Sequence, residues 1–219
     1  DGRVKTLHPN IHAGLLARRD LPEHMHQLER MKIKKIDMVV VNLYPFKETV
    51  LKPGVSLEEV IENIDIGGPS LIRAASKNYR SVAVVTDPSR YVPLLEEMSA
   101  SQGHLGEGTL QGLMLEAFRA TANYDALIAQ HLGGTFPGPM FPQTLNVGMD
   151  KVQDLRYGEN PSQQAAFYGD PFATGVAVAR MKQLHGKELS FNNILDIESA
   201  LSLLREFEDR ACAAVIKHT

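Results

Sequence analysis

Two short runs of β-branched residues constrain the fold of this chain most strongly. The runs IDMVVVNLY (36–44) and SVAVVTD (81–87) are bounded by polar or turn residues, a pattern typical of strands buried on both faces. Between them, Ser56 and Glu59 have capping-box spacing, and Pro69 occupies a first-turn position before SLIRAASKN. Because strands alternate with helices, the sequence predicts an α/β layer architecture with a parallel sheet.

The chain is predicted to form two domains. Apolar residues recur with a helical period over 109–132, which predicts one long amphipathic helix. The Gly- and Pro-rich segment GGTFPGPMFPQ that follows predicts a linker. We therefore place a first domain at residues 1–142 and a second at residues 143–219. Within the second domain the sequence predicts a helix over 196–209 and strands around 144–158, 165–169 and 211–218.

The composition of the chain excludes several classes of protein. With 23 basic and 26 acidic residues and a net charge of −3, the chain lacks the basic excess of a nucleic-acid groove. No apolar run approaches the ~20 residues that span a bilayer, so we expect no membrane partner. The single cysteine, Cys212, excludes a disulfide framework and a cysteine zinc site, and it favours a reducing cytoplasm.

The histidine spacing does not predict a metal site. His8 and His12 are four residues apart, but Pro9 between them argues against a shared helix face. His24 and His26 are two apart and would face different directions on a helix. We therefore expect no metal.

The stretch IDIGGPSLIRAASKN carries the strongest local signal for chemistry. Gly67 and Gly68 permit close backbone approach at a helix N-terminus, where exposed N–H groups and the helix dipole favour a phosphate or carboxylate. Asp65 and Lys77 flank this helix as candidate proton-transfer partners. The structural alternatives are a helix cap for Asp65 and a solvated helix end for Lys77.

Two further segments of the first domain offer polar groups. Asn42 and Tyr44 follow the first predicted strand, at the edge where α/β proteins bind ligands. Arg3, Lys5 and Thr6 cluster near the start and could form a wall of an anion site. A strand-terminating Asn with a packed Tyr, and a solvated basic loop, are the alternatives.

The second domain has its own candidates. Arg156 and Tyr157 occupy a turn-rich loop, and Asn193 lies in the segment ELSFNN. Lys217 and His218 end the last apolar run, where His218 would act as a general base with a pKa lowered by the adjacent cation. The alternative is a strand end that reaches water.

Six blocks in a fixed order closely resemble the bifunctional AICAR transformylase/IMP cyclohydrolase family of purine biosynthesis: DGRVKTLHPNIHAGLLARR, VVVNLYPF, NIDIGGPSLIRAASKN, LRYGENPSQ, GKELSFNNILD and VIKH. The resemblance implies formyl transfer from the co-substrate 10-formyltetrahydrofolate to AICAR. It also implies closure of formyl-AICAR to IMP with loss of water. The implied folds are a methylglyoxal-synthase-like first domain and a second domain of cytidine-deaminase-like units, which works as a homodimer.

The resemblance also implies roles for individual residues. In ring closure the expected catalytic residues are Lys5, Tyr44, Asp65 and Lys77, with either lysine stabilising the oxyanion. The nucleotide would be held by Arg3, Thr6, Asn42, Ile66, Gly67 and Gly68. In formyl transfer, Arg156, Tyr157 and Asn193 would bind substrate, and Lys217 and His218 would be catalytic.

The sequence departs from the family pattern at three points. Ser162 stands where the family usually has His, the Ser- and Gly-rich phosphate-binding turns before DGRVKTLHP are missing, and most of the transformylase domain is missing. We therefore expect both domains to be truncated and this polypeptide alone to have little activity. The rival interpretations are a non-enzymatic purine nucleotide- or phosphate-binding module, a methylglyoxal-synthase-type lyase, and a set of purely structural caps and turns.

Overall fold

Two separate sheets organise the chain, one in each of its two compact units. The computed structural model describes residues 6–207 and 210–217, and the boundary between the units in the sequence falls between Asn146 and Val147. The first unit contains α1 (Pro9–Leu16), α2 (Pro22–Arg30), β1 (Met38–Val40), α3 (Phe46–Val50), α4 (Leu57–Glu62), α5 (Gly67–Lys77), β2 (Ala83–Val85), α6 (Tyr91–Ala100) and α7 (Glu107–Thr135). The second contains β3 (Asp150–Leu155), β4 (Ala165–Gly169) and α8 (Phe191–Arg205).

The predicted parallel strands pair at the centre of the first unit. Val39 of β1 lies opposite Val84 of β2 in a parallel register. All three residues of β2 are buried, because helices pack on the sheet that β1 and β2 form. Both strands were expected from their β-branched runs, and the mixed α/β class with a parallel sheet is confirmed.

Two helices pack on the parallel pair, and a third packs against one of them to complete the core. α5 packs against β2, α7 and α1, and α7 also contacts β2. The buried cluster includes Leu15 from α1, Ile72 from α5 and Ala117 from α7, each 0% exposed. Small residues of α5, such as Ala75, let its backbone approach its neighbours closely. The crossover helix α5 is therefore fixed on several sides.

The helix signals in the sequence act largely as predicted. Ser56 caps α4 by accepting a hydrogen bond from the backbone N–H of Glu59 at 3.1 Å. The Glu59 carboxylate does not complete a capping box but pairs with Lys52 at 3.0 Å. α7 spans the predicted 109–132 region and continues to Thr135, so the predicted linker begins too early. Phe136, which precedes Pro137, is extended and ends the helix, since a residue before proline is driven out of the helical region.

A proline begins α1. Pro9 does not break the segment between His8 and His12 but occupies the first turn of α1. A proline is tolerated there because its missing N–H has no intrahelical partner. His8 is the N-cap, and its Nδ1 accepts a hydrogen bond from the backbone N–H of Asn10 at 3.2 Å.

The second unit is built on an antiparallel hairpin and one helix. β3 and β4 pair with a register irregularity between Lys151 and Gln153. α8 begins at Phe191 rather than at the predicted residue 196, because Ser190 and Asn193 form a reciprocal capping box. The helix therefore begins five residues before the predicted start.

The predicted closing strand is not present. Residues 210–217 have no regular structure, and Val215 is fully exposed, at 101%. An apolar run becomes a buried strand only when neighbouring strands and a covering layer bury it. Among the described residues, none of the strands pairs with this segment.

The part of the chain that the structure describes contains no helix long and apolar enough to span a bilayer. It also holds no group of three or more His, Cys, Asp or Glu side chains that could bind a metal ion.

Candidate functional site

A cavity of about 650 Å³ lies at the carboxyl end of β1. Strand ends and helix N-termini meet at this edge of a parallel sheet, which is where α/β proteins bind ligands. Apolar side chains such as Val40, Ile61 and Ile64 contribute part of its wall. The predicted site residues that line this edge cavity are Thr6, Asn42, Tyr44, Asp65, Ile66, Gly67 and Gly68.

Asp65 links the strand end to the helix start. Its Oδ1 accepts a hydrogen bond from the backbone N–H of Gly68 at 2.7 Å, and its Oδ2 accepts one from the backbone N–H of Tyr44 at 3.3 Å. The carboxylate therefore caps α5 and also fixes the loop after β1. The structural alternative considered for Asp65, a helix cap, is observed, and lone pairs remain on both oxygens for a ligand.

Gly67 and Gly68 allow this close packing. A Cβ on Gly68 would lie 2.6 Å from Asp65 Oδ2 and 2.8 Å from Leu43 Cδ2. A Cβ on Gly67 would lie 2.6 Å from Thr6 Oγ1. All three distances are far below van der Waals contact, so these positions need glycine for space, and Thr6 is held directly against the α5 N-terminus.

Asn42 and Tyr44 face the same edge from the loop after β1. The Asn42 side-chain amide donates a hydrogen bond to the Tyr91 hydroxyl at 3.3 Å. This contact directs the amide nitrogen toward α6 and leaves the amide oxygen for another partner. Tyr44 is 45% exposed, so its ring and hydroxyl are accessible from the cavity.

The ionisable groups of the edge cavity are acidic. Glu62 and Asp65 line it, and among the described lining residues there is no Lys or Arg. An anionic ligand would therefore depend on the positive end of α5 and on cations from elsewhere. The predicted cations Arg3 and Lys5 lie within three residues of Thr6 in the sequence, but outside the described residues.

Lys77 is not brought to this cavity. It is the last residue of α5, whereas Gly67 is the first, so about 15 Å of helix separates them. In a strand–helix–strand crossover the helix runs antiparallel to the strands, and its two ends lie at opposite edges of the sheet. The catalytic role expected for Lys77 stays a prediction.

In the second unit, Arg156 and Tyr157 form one local cluster. The Arg156 guanidinium carbon lies 4.9 Å from the Tyr157 ring centroid, and its Nη2 donates to the Tyr157 hydroxyl at 3.3 Å. Hydrogen bonding with the Ser190 side chain, followed by the contact with Arg156, lowers the pKa of Tyr157 from its ordinary value. The loop is fixed by the backbone N–H of Phe191, which donates to the Tyr157 carbonyl at 3.1 Å.

Asn193 has a structural role that its motif did not reveal. Its Oδ1 accepts hydrogen bonds at 3.0 Å from both the backbone N–H and the hydroxyl of Ser190. The Asn193 amide nitrogen remains as the group that could contact a ligand. Lys217 is exposed, and His218 lies outside the described residues.

Sequence reasoning missed several residues that shape the edge cavity. Ile61, Glu62 and Ile64 line it from the end of α4 and the following loop. A predicted helix directly before the DIGG turn is the signal that could have identified them. Tyr91 contacts the site from a distant element, and nothing local in the sequence marks it.

Comparisons with known proteins identify the class of each part. Residues 2–70 match the family model described as an MGS-like domain, which agrees with the parallel β1–β2 pair of the first unit. Residues 75–219 match the family model described as the AICARFT/IMPCHase bienzyme. The chain belongs to the AICARFT/IMPCHase bienzyme family.

Curated relatives and a solved structure agree with this assignment. The bifunctional purine biosynthesis proteins PurH of Halalkalibacterium halodurans and Streptococcus pneumoniae are each 53% identical over 218 residues, which cover 100% of this chain and 42% of the relative. The PurH of Ruminiclostridium cellulolyticum is 52% identical over 219 residues, with the same coverage. This chain thus spans 42% of their length. The crystal structure of ForH aligns with a TM-score of 0.56 and 31% identity, covering 63% of this chain and 70% of that one.

Proposed function

We propose that this chain is part of a bifunctional enzyme that completes the synthesis of IMP. One reaction transfers a formyl group from 10-formyltetrahydrofolate to the 5-amino group of AICAR. The other closes formyl-AICAR to IMP and releases water. Residues 1–142 would belong to the cyclohydrolase domain and residues 143–219 to the start of the transformylase domain. Family membership and the identity to the PurH proteins support this proposal.

The observation that carries the proposal is the gathering of predicted residues around the edge cavity. Asn42, Tyr44 and the segment 65–68 lie in different parts of the sequence, yet they line one cavity of about 650 Å³. A cavity of this size falls in the range that small-molecule ligands occupy. The Thr6 hydroxyl against the start of α5 suits a phosphate, since backbone N–H groups and the helix dipole favour an anion there.

Ring closure depends mainly on geometry. The carboxamide nitrogen attacks the formyl carbon and forms the new C–N bond. One carboxamide proton and the proton of the formamide nitrogen move to the formyl oxygen, which leaves as water while the C=N bond of the ring forms. Holding the reacting atoms in a near-attack conformation supplies much of the acceleration of such intramolecular steps. In our proposal, Asn42 and Ile66 hold the nucleotide, and Asp65 handles the proton. Tyr44 and a lysine stabilise the developing oxyanion. We favour Lys5, which directly precedes the cavity residue Thr6, over the alternative Lys77, which does not line the edge cavity.

The second unit would contribute to formyl transfer. The amine of AICAR is a weak nucleophile because its lone pair is delocalised into the imidazole, so it needs a general base. We assign that role to His218, with Lys217 stabilising the charge of the transition state. The Arg156–Tyr157 cluster offers a planar cation and a ring beside it, which suits a nucleotide. Asn193 would contribute its amide nitrogen.

The remaining expectations concern the complete protein. We propose that it works as a homodimer in the cytoplasm and takes folate only as a co-substrate, with no resident metal. The presence of one cysteine in 219 residues is consistent with a reducing compartment.

The test uses the product of the complete open reading frame. It is incubated with AICAR and 10-formyltetrahydrofolate, and the nucleotides are followed by mass spectrometry. Accumulation of IMP supports both activities. Formyl-AICAR alone would mean that the first domain only binds nucleotide, and absence of both products would overturn the proposal.

A second candidate function is nucleotide binding without turnover by the first unit. Two observations favour it: Asp65 already accepts two backbone hydrogen bonds, and no described Lys or Arg lines the cavity. This alternative predicts that formyl-AICAR and IMP bind to the complete protein at the edge cavity while ring closure is no faster than in buffer. Isothermal titration and single-turnover kinetics distinguish the two.

A further inference from the structure

We infer that Tyr124 of α7 is a positioning residue for the Asp65 turn, and this inference rests on the proposed ring closure. The Tyr124 hydroxyl accepts a hydrogen bond from the backbone N–H of Asp65 at 2.9 Å. It also donates one to the backbone carbonyl of Asn63 at 3.2 Å. One hydroxyl thus bonds two residues, Asn63 and Asp65, of the four-residue loop between α4 and α5. A phenol can do this because it is both donor and acceptor.

The Tyr124 ring is itself fixed in place. It is only 9% exposed, and its centroid lies 6.2 Å from that of Phe46 in an edge-to-face arrangement. Phe46, 1% exposed, also packs against His131, about two helical turns beyond Tyr124 along α7. Burial, the largest influence, raises the pKa of Tyr124, so the hydroxyl stays protonated at neutral pH and remains a donor. Ring and hydroxyl are therefore held in one orientation.

Tyr124 influences the edge cavity through Asp65. Tyr124 does not line the edge cavity, whereas Asp65 does. With its backbone held by Tyr124, the Asp65 carboxylate can bond to Gly68 and Tyr44 at the same time. The position of the carboxylate relative to Tyr44 thus depends on a residue 59 positions away in the sequence. Loss of the hydroxyl should release the loop and misplace Asp65 without removing any group from the cavity.

The first test measures the loop directly and needs no activity. Amide hydrogen exchange is followed over residues 63–68 in the complete protein for Tyr124→Phe and for the matched control Tyr79→Phe. Tyr79 also loses a bonded hydroxyl, which accepts from Arg80 Nε at 3.3 Å, but at the far end of α5. We expect exchange at least about 10-fold faster in Tyr124→Phe only, since local opening requires fewer broken bonds. Equal exchange in both variants overturns the inference.

The second test separates positioning from a general structural role. In Tyr124→Phe, kcat for conversion of formyl-AICAR to IMP should fall about 10- to 100-fold, as expected for a misplaced reacting group, with KM changed less than about threefold. In an Asp65→Asn background the same change should have almost no further effect, because Tyr124 acts through Asp65. Additive losses would overturn the inference.

The experiments distinguish failure of the proposed function from failure of the positioning role of Tyr124. If the wild-type protein does not convert formyl-AICAR to IMP, the proposed function is wrong. The exchange experiment alone then decides whether Tyr124 holds the loop. If the wild-type protein is active and Tyr124→Phe retains full kcat, the function stands and the positioning role is wrong.

Discussion

The backbone N–H of Gly68 donates a 2.7 Å hydrogen bond to Asp65 Oδ1. Gly68 lies so close to the Asp65 carboxylate that a side chain on Gly68 would have no space. We predict that Gly68→Ala destabilises the protein by about 1–3 kcal/mol, as overpacking of a close contact does. Because the added methyl group displaces the Asp65 carboxylate, ring closure should fall as well. Thermal unfolding and cyclohydrolase assays of the complete protein measure both effects.

Gly112 is the matched control for this change. It lies inside α7, and a Cβ there would meet nothing within 4 Å. Gly112→Ala should therefore stabilise the protein by about 0.4–1 kcal/mol, since it lowers the entropy of the unfolded chain. Equal melting temperatures for the two variants would contradict the steric explanation.

Lys32 has a left-handed backbone, with φ of 55°. It directly follows the C-cap of α2, and the next residue closes the helix through a hydrogen bond from Ile33 N to the Leu28 carbonyl at 2.9 Å. Glycine is favoured at such positions because it has no Cβ. We predict that Lys32→Gly raises the free energy of unfolding by about 1 kcal/mol, measured by urea denaturation.

Lys35 provides the comparison for Lys32, since it is a nearby exposed lysine without a positive φ. Lys35→Gly should lower stability by a few tenths of a kcal/mol, roughly the entropic effect of a glycine in a loop. A gain at both positions would indicate a charge effect instead.

Glu97 of α6 caps the N-terminus of α7. Its carboxylate accepts hydrogen bonds from the backbone N–H of Gly106 at 2.7 Å and from Thr109 Oγ1 at 2.8 Å. The Gly106 bond, followed by the Thr109 bond, lowers the pKa of Glu97. The native state therefore favours the ionised form. The resulting stability is fully present above the ordinary glutamate pKa and is lost as pH falls through the lowered native value.

We expect Glu97→Gln to reduce the pH dependence of the melting temperature in this acidic window. The neighbouring Glu96→Gln removes the same charge from an exposed position of the same helix and should leave that dependence unchanged. Identical pH profiles for both variants would show that the cap is not the cause.

Asn193 allows capping to be separated from substrate binding. An aspartate at this position retains the oxygen that accepts from Ser190 but has no amide nitrogen. We predict that Asn193→Asp keeps the thermal stability of the protein and lowers transformylase kcat/KM at least about 10-fold, since the amide contact to the nucleotide that we propose would be lost. Ser190→Ala is the converse variant, with an expected loss of about 1 kcal/mol of stability from the missing cap.

Part of the site could be predicted from the sequence because it depends on local order. Asn42 and Tyr44 follow a buried strand, and Gly67 begins the next long helix, so a crossover fold brings them to one edge. Lys77 was grouped with them because it belongs to the same motif. The length of α5 separates it from Gly67, which a linear motif does not reveal.

Other features depend on long-range contacts that no local pattern encodes. Tyr91 is 49 positions from Asn42, and Tyr124 is 59 positions from Asp65. The predicted strand at 211–218 failed for the related reason that an apolar run needs a neighbour to pair with. Local propensity identified the elements, but only tertiary packing shows which side chains support the site.

The distance in sequence between Asp65 and Tyr124 has a consequence during translation. Asp65 leaves the ribosome 59 residues ahead of the tyrosine that holds its loop. At about 5–20 residues per second, the gap is about 3–12 s. During that interval β1 and α5 can form, but the turn between α4 and α5 lacks its anchor. The cavity therefore acquires its final shape only after α7 has been made, so the last helix of the first unit completes a site whose chemical groups were synthesised much earlier.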